Sequence, residues 1–226
     1  MLKFYFHQTP NPMKVALFLK ETSLPYELIA VDTMKGEQHT PEYLAINPNA
    51  KTPAIVDDGK RIFDSTAILM YLSEKTGELA GKPEDRGEML SWLMFIATGL
   101  GPFSGQSVHF RHKGPEKVPY AINRYLREAQ RHYEVLEKHM AGRDYLVGDE
   151  YSIADISAWG WIDKAAFVLG DDGLERYPNL KRWFTSINER PAVQEARDIA
   201  QDIEFKTDFD DVAARALFPQ NFDKKA

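Results

Sequence analysis

Residues 47–72 read NPNAKTPAIVDDGKRIFDSTAILMYL, and their pattern is the clearest guide to the architecture. Two short apolar segments flank Asp-Asp-Gly at 57–59, and Asp-Gly favours the tight turn of a β-hairpin. Pro53 begins the first of these strands, where its missing N–H requires an edge position or a cis peptide bond. Asp64 and Ser65 are good helix caps and precede an apolar helical face. The segment therefore predicts two antiparallel strands followed by a helix.

The residues before this segment alternate strand-like and helix-like patterns. Residues 2–7 alternate apolar and polar side chains, which suits a strand. Thr-Pro-Asn at 9–11 is a turn with N-cap chemistry, and the apolar helical face after it ends near Glu21. Residues 25–31 read as a second strand. The predicted order over residues 1–80 is therefore βαβ, a short helix and ββα.

The second half of the chain reads as helical. Residues 78–86 combine Gly, Pro and charged side chains, which predicts a linker. Apolar residues recur at three- and four-residue steps over 119–140, and a capping box at Ser152 predicts a helix that runs to about Leu169. The fold class is thus α/β plus all-α, and the aromatic residues of the C-terminal tail predict that it docks on the body.

Composition excludes several classes of function. Lys and Arg number 28 against 34 Asp and Glu, a net charge of −6 that offers no broad basic face to nucleic acid. The chain has no cysteine, which excludes disulfide scaffolds, thiolate metal sites, thiol nucleophiles and CxxC redox centres. The N-terminus lacks the apolar run of a signal peptide, and the most apolar segment, 89–103, falls short of the ~18–20 residues of a membrane span. We expect a cytoplasmic protein that binds neither nucleic acid nor membrane.

Three separated segments resemble the glutathione transferase superfamily. They are residues 47–55, 63–72 and 151–156. Thr-Pro-Asn at 9–11 and the Gly-Pro and Gly-Gln pairs of 101–106 resemble the bacterial nu class, which is similar to the disulfide-bond reductase type of transferase. The resemblance implies a thioredoxin-like N-terminal domain (βαβ–ββα) followed by an all-helical C-terminal domain. It also implies a homodimer, with glutathione as cosubstrate and no metal.

The domain boundaries follow from the linker and the resemblance together. We predict that residues 1–80 form the thioredoxin-like domain that binds glutathione. Residues 86–226 are then the helical domain, which lines the electrophile site and the dimer interface.

Thr9 and Asn11 are the predicted catalytic residues. Little glutathione is thiolate at neutral pH, because the pKa of its thiol is near the ~8.5 of cysteine. Donors at a helix N-terminus stabilise a thiolate, and the resemblance places the Thr9 hydroxyl and the Asn11 side-chain or backbone N–H there. The alternative for both residues is simple helix capping. Tyr5, which other transferase classes would use on the thiol, is expected to be a packing aromatic.

The resemblance also assigns residues to the two ends of glutathione. Asp64 would bind the γ-glutamyl ammonium, and Ser65 with helix N–H groups its carboxylate, although both residue types also cap helices. The remaining predicted contacts lie at the cysteinyl backbone and the glycyl carboxylate. They are Gln38 and Lys51 at the glycyl end, and Thr52 with Pro53 at the cysteinyl backbone. An ordinary exposed lysine is the alternative for Lys51.

Basic residues of the helical half allow a further interpretation. Arg127 and Arg131 would reach the second glutathione or its disulfide from the partner subunit, although such residues more often form a solvated face. His109 and His112 lie three residues apart, but no acid lies at a helpful spacing nearby. We expect no metal site.

The leading functional hypothesis is a glutathione-dependent disulfide reductase with peroxidase and modest transferase activity. Any disulfide chemistry must use glutathione sulfurs, because the protein has no cysteine of its own. Exchange is favoured when the attacking thiol has a pKa near ambient pH. Two alternatives remain open: conjugation of a specific small electrophile, and a noncatalytic glutathione-binding regulatory module.

Overall fold

The computed structural model describes residues 1–222. A four-stranded mixed sheet forms the first half, in the strand order β2-β1-β3-β4. The strands are β1 (Leu2–Phe6), β2 (Tyr26–Ala30), β3 (Ala54–Asp57) and β4 (Lys60–Phe63). Strand β1 pairs parallel with β2 and antiparallel with β3, and the β3–β4 hairpin turns through Asp58 and Gly59 with φ of 48° and 81°. The Asp-Gly turn is therefore confirmed.

Strand β3 lies inside the sheet, between β1 and β4. That position excludes the edge alternative for Pro53, and the Thr52–Pro53 peptide bond is indeed cis. Of the two alternatives that the sequence left open for Pro53, an edge position or a cis peptide bond, the structure has the cis bond.

Three helices complete the N-terminal half, as predicted. They are α1 (Pro10–Thr22), α2 (Pro41–Leu44) and α3 (Ser65–Thr76). Proline stands in the first turn of α1, where its missing N–H would be unpaired in any case. Helix α3 ends at Gly77, whose φ of 74° is a conformation that glycine adopts readily.

Helices account for the regular structure of the second half. They are α4 (Arg86–Phe95), α5 (Gly101–Val108), α6 (Pro119–His139), α7 (Ile153–Ile162), α8 (Ala165–Leu169), α9 (Pro178–Asn188), α10 (Pro191–Arg197) and α11 (Asp211–Leu217). The single helix predicted up to Leu169 is wrong, since α7 and α8 are separate. Asp163 at their junction pairs with Arg197 of α10 at 2.7 Å. None of the helices in residues 1–222 has the length and apolar character that a membrane crossing requires.

The segment between α4 and α5 is π-helical over Ile96–Leu100. It precedes Pro102 in the first turn of α5, a residue that cannot donate to the preceding turn. The wider turn lets the chain continue helically through the proline, and π segments often occur at functional sites. Ile96 and Gly101 of this region line the cleft described below.

The capping box at the start of α7 is confirmed. Asp155 accepts hydrogen bonds from Ser152 N, Leu146 N and Trp183 Nε1 at 3.1, 2.9 and 2.9 Å. Burial raises the pKa of this carboxyl to about 6, against the opposing effect of its hydrogen bonds. Its contacts lie inside the helical half, so its function is structural.

Helix α1 is the element that joins the two halves. It packs against α3 on one side and against α7 and α10 of the helical half on another. Glu21 near its end forms a two-pronged ion pair with Arg190 at 2.5 and 2.8 Å, and the guanidinium lies 4.0 Å above the Tyr151 ring. One apolar core therefore runs from the sheet into the helices.

The C-terminal tail docks on the body, as its aromatic residues predict. Phe205 packs against His7 at the end of β1, with ring centroids 4.6 Å apart. Lys206 N donates to Asp32 Oδ2 at 2.8 Å, just after β2. Farther on, Phe218 meets His109 of the helical half at 4.5 Å. The tail thus spans the two halves of the molecule.

Candidate functional site

A cleft of about 270 Å³ lies where the N-terminus of α1 meets the helical half. Its walls come from three places: α1, the start of α3, and the facing helices α5 and α7. The residues that matter below are Asn11, Lys14, Asp64, Ser65, Gly105 and Trp161. The structure therefore brings together three predicted site residues, Asn11, Asp64 and Ser65.

The side chain of Asn11 is oriented by Trp161 of α7. The indole Nε1 donates to Asn11 Oδ1 at 3.1 Å. An indole N–H can only donate, so the partner atom must be the amide oxygen. The amide NH₂ of Asn11 is thereby left to serve an acceptor in the cleft.

Two glycines of α5 make room for this indole. A Cβ at Gly101 would lie 2.9 Å from Trp161 Nε1, and one at Gly105 would lie 3.5 Å from the Trp161 ring. Any side chain at Gly101 would displace the atom that holds Asn11. The Gly-Pro and Gly-Gln pairs therefore have a physical reason that sequence spacing alone did not reveal.

Thr9 is the N-cap of α1, with extended backbone at φ −132° and ψ 164°. Its side chain makes no capping hydrogen bond, so the capping alternative does not apply to the hydroxyl. Thr9 is half-buried and is not a wall residue of the cleft. Tyr5 packs edge-on against Tyr43 with ring centroids 5.8 Å apart, the packing role expected of it.

Asp64 and Ser65 stand at the start of α3. Asp64 Oδ1 accepts from Thr66 N at 2.8 Å and Ala67 N at 3.3 Å, so the residue does cap the helix. Both bonds go to one oxygen, and none of residues 1–222 donates to Oδ2. Its backbone has φ 72° and ψ 127°, a conformation that side-chain-bearing residues rarely adopt and that is found at functional sites. Ser65 is buried and lines the cleft.

Lys14 is a cleft residue that the sequence analysis missed. It is only 2% exposed, and burial lowers the pKa of its ammonium to about 8, against the opposing charge of Asp64. The sequence signal was available, because Lys14 follows Asn11 by three residues and so shares its face of α1. Its burial was not predictable, since α7 covers it.

A larger cavity of about 530 Å³ adjoins the cleft, and the two share Gly105 and Gln106. The exposed Lys51 lines it, opposite aromatic and basic residues of the helical half and the tail. These residues are His109, Phe110, Lys113 and Phe218. Tyr43 Oη and Asn47 Nδ2 both donate to the carbonyl oxygen of Lys51 at 2.6 Å, which fixes its backbone. The tail therefore forms part of the wall of a second compartment.

The remaining predicted glutathione contacts do not line either cavity. Gln38 is buried, and its Nε2 donates to Ala216 O of α11 at 2.8 Å. The tail thus uses the amide that the resemblance assigned to the glycyl end. Thr52 is half-buried and Pro53 buried just before β3.

Arg127 and Arg131 are exposed on α6 and do not line either cavity of their own chain. Arg131 instead donates to Glu128 Oε1 at 2.6 Å. The histidines also have local partners: His112 stacks on Phe167 at 4.2 Å, and burial lowers the pKa of both His112 and His109. Within residues 1–222, no group of three acidic or histidine side chains is placed to hold a metal ion.

Comparison with known proteins gives the family. The model of the glutathione S-transferase N-terminal domain matches residues 1–74, and that of the C-terminal domain matches residues 102–191. Disulfide-bond oxidoreductase YfcG of Escherichia coli is 46% identical over 204 residues, which cover 87% of this chain and 94% of that protein. The chain belongs to the glutathione S-transferase family.

Solved structures of glutathione transferases share this architecture over most of the chain. A glutathione transferase from Burkholderia graminis, with two glutathione molecules bound per subunit, has a TM-score of 0.81 at 37% identity and covers 87% of each chain. One from Phanerochaete chrysosporium, with oxidized glutathione, has a TM-score of 0.83 at 33% identity and covers 89% of this chain and 96% of its own. The thioredoxin-like half and the helical half expected of the family are therefore confirmed.

Proposed function

We propose that this chain is a glutathione-dependent enzyme that reduces disulfide bonds, with peroxidase and modest transferase activity. The observation that carries the proposal is the Asn11 amide in the cleft wall: Trp161 donates to its oxygen, which leaves its NH₂ able to donate to a ligand. The relatives named as disulfide-bond oxidoreductases, and the neighbours that hold glutathione, support the same reaction. A thiolate is the acceptor that this chemistry requires.

Each end of glutathione has a proposed partner. The thiolate lies at the N-terminus of α1, where the Asn11 NH₂ and the Thr9 hydroxyl donate to it. Asp64 binds the γ-glutamyl ammonium through Oδ2, beside Ser65. Thr52 and Pro53 hold the cysteinyl backbone. Lys51 lies at the glycyl end together with Gln38, once the tail releases the Gln38 amide.

The proposed reaction balances without any sulfur from the protein. A glutathione thiolate attacks one sulfur of the substrate disulfide, the S–S bond breaks, and the departing thiolate takes a proton. A second glutathione thiolate then attacks the mixed disulfide, which yields glutathione disulfide and the second substrate thiol. Two glutathiones are oxidised and one disulfide is reduced. The larger cavity beside Gly105 and Gln106 has room for the second reactant.

Further parts of the proposal concern assembly. We propose a homodimer, in which Arg127 and Arg131 approach the cleft of the partner subunit from α6. We also propose the division at residues 1–80 and 86–226, which places the glutathione contacts in the first domain and the electrophile site in the second. A cytoplasmic location stays a prediction.

Reductase turnover of hydroxyethyl disulfide, measured beside conjugation of an aryl halide, tests the proposal. Thr9→Ala and Asn11→Ala should each lower kcat/KM of the reductase about ten- to a hundredfold, as expected for a lost hydrogen bond to a charged group. Thr22→Ala is the matched control, since that hydroxyl bonds to Phe18 O within the same helix. Unchanged turnover in both variants would overturn the assignment.

Two further readouts separate the alternatives. Aryl-halide conjugation that exceeds disulfide reduction would favour a transferase for a small electrophile. Ultraviolet titration measures the pKa of the thiol in bound glutathione. An unlowered pKa would favour the alternative of a noncatalytic glutathione-binding module.

A further inference from the structure

Lys14 places a positive charge where proteins rarely bury one. It is 2% exposed in α1, between the buried residues Met13 and Val15. Within residues 1–222 no group hydrogen-bonds to its ammonium or pairs with it, and Asp64 acts on it only through its Coulombic field. A buried cation without a direct partner destabilises the fold. A perturbed ionisable group that lines a cleft is a candidate for ligand binding.

The side chain of Lys14 lies between α7 and the cleft. Its aliphatic chain passes over Gly160 of α7, where a Cβ would lie 2.6 Å from Lys14 Cγ and 3.1 Å from Cε. Helix α7 faces it with the uncharged Gly160 and Trp161, whereas the start of α3 presents Asp64. Lys14 lines the cleft together with Asn11, Asp64 and Ser65.

The cleft wall therefore holds one cation and one anion. Among its described wall residues, Lys14 carries the positive charge and Asp64 the negative charge. Thr66 N and Ala67 N at the start of α3 already donate to Asp64 Oδ1, so these N–H groups do not serve a ligand. Within α3 the hydroxyl of Ser65 can still meet a ligand carboxylate, but a positive charge for that carboxylate has to come from outside α3. An α-amino acid group, with an ammonium and a carboxylate on one carbon, matches this pair of charges.

We propose that Lys14 binds the α-carboxylate of the γ-glutamyl group of glutathione, so that Lys14 and Asp64 together recognise the zwitterionic end of the ligand. The inference rests on the proposed function and deepens it. The family resemblance assigns this carboxylate to Ser65 and helix N–H groups, and Lys14 adds the charge that they lack. Asn11 and Thr9 are assigned to the thiolate of the cysteinyl residue, not to the γ-glutamyl group.

Binding should then take up protons. The free protein loses the Lys14 proton near pH 8, whereas a bound carboxylate favours the ammonium and raises the pKa of Lys14. For a ligand without a free thiol, such as S-methylglutathione, affinity therefore falls as the pH rises above about 8, and a fraction of a proton is taken up with each ligand bound.

Calorimetry with two ligands tests the inference. S-methylglutathione keeps the α-carboxylate and has no thiolate, and its analogue with 4-aminobutyryl in place of γ-glutamyl lacks only that carboxylate. Lys14→Met should weaken S-methylglutathione about ten- to a hundredfold and leave the analogue unchanged, as expected for a lost charge-assisted bond. Lys20→Met, on the same helix and beside Tyr26, should change neither affinity.

The outcomes distinguish the possibilities. Equal weakening of both ligands by Lys14→Met would assign Lys14 a structural role and overturn the inference, as would no weakening of either. Titration of S-methylglutathione at pH 8.5 in two buffers of different ionisation enthalpy should show more proton uptake in the wild type than in Lys14→Met, where only the ammonium of the ligand can take up protons. If the wild type fails to bind S-methylglutathione at all, the proposed function fails, not the assignment of Lys14 alone.

Discussion

Trp161 Nε1 donates a hydrogen bond to Asn11 Oδ1 across 150 residues of sequence, at 3.1 Å. The bond joins the helical half to the N-terminus of α1. It engages the oxygen of the Asn11 amide, so that the NH₂ group is left to donate in the cleft. Gly101 and Gly105 leave the space that the indole occupies. The helical half thus orients Asn11, a predicted thiolate donor that belongs to the N-terminal half.

Trp161→Phe removes the hydrogen bond and retains most of the ring. The Asn11 amide can then rotate, so we expect kcat/KM for hydroxyethyl disulfide to fall about three- to tenfold, the effect of ~1 kcal/mol. The pKa of the thiol of bound glutathione should rise in the same variant. Ultraviolet titration of the thiolate measures it.

Trp159→Phe is the matched control for that variant. Trp159 lies on the same helix, and its Nε1 also donates to an asparagine, Asn188, at 3.1 Å. That bond lies outside the cleft. Equal losses of turnover in the two variants would show that any weakened indole bond in α7 acts through stability, and would contradict a specific role for Trp161.

Asp64 combines a capping role with a proposed ligand contact, and two substitutions separate them. Asp64→Asn keeps an oxygen for Thr66 N and tolerates the positive φ, so Tm should be unchanged above about pH 9, where Lys14 is neutral and needs no counter-charge. Glutathione affinity should fall about tenfold, because the charge for the ammonium is lost. Asp64→Ala loses both roles and should also lower the free energy of unfolding by about 1 kcal/mol. Calorimetry and thermal denaturation give the two quantities, and unaltered affinity in both variants would contradict the contact.

Local signals explain why much of the fold was predictable. Asp-Gly at 58–59 set the hairpin, Thr-Pro-Asn at 9–11 marked the start of α1, and Ser152 with Asp155 formed the expected capping box. Each of these features acts within a few residues of sequence. The order of strands and helices followed from them.

Long-range contacts explain what the sequence did not predict. Lys14 resembles a surface lysine until Gly160 of α7 covers its side chain. Gln38 was expected to face glutathione, yet Ala216 of the tail accepts its amide. The partners lie more than a hundred residues away in both cases, so no local pattern contains them.

Phe218 is the tail residue expected to affect the second substrate. Its ring packs on His109 at 4.5 Å and lines the larger cavity. Phe218→Ala should raise KM for the disulfide about threefold to tenfold, the loss of ~1 kcal/mol of aromatic contact, with glutathione affinity unchanged. Phe222→Ala is the control, since that ring contacts Arg215 and does not line the cavity. A change in glutathione affinity alone would place the effect in the cleft instead.

The buried charge of Lys14 should leave a signature in stability as well as in binding. Its pKa is lowered by burial from 10.5 to about 8, so between these values the unfolded chain binds more protons and stability rises with pH. At about 1.4 kcal/mol per pKa unit, the ammonium costs about 3 kcal/mol below pH 8. Lys14→Met should therefore be more stable than the wild type by about that amount at pH 7, with the difference vanishing by pH 10.5. Urea unfolding at several pH values measures it, with Lys20→Met as the control that should show no such trend. A less stable Lys14→Met at pH 7 would mean that the ammonium has a partner in the fold, and would remove the reason to look for one in the ligand.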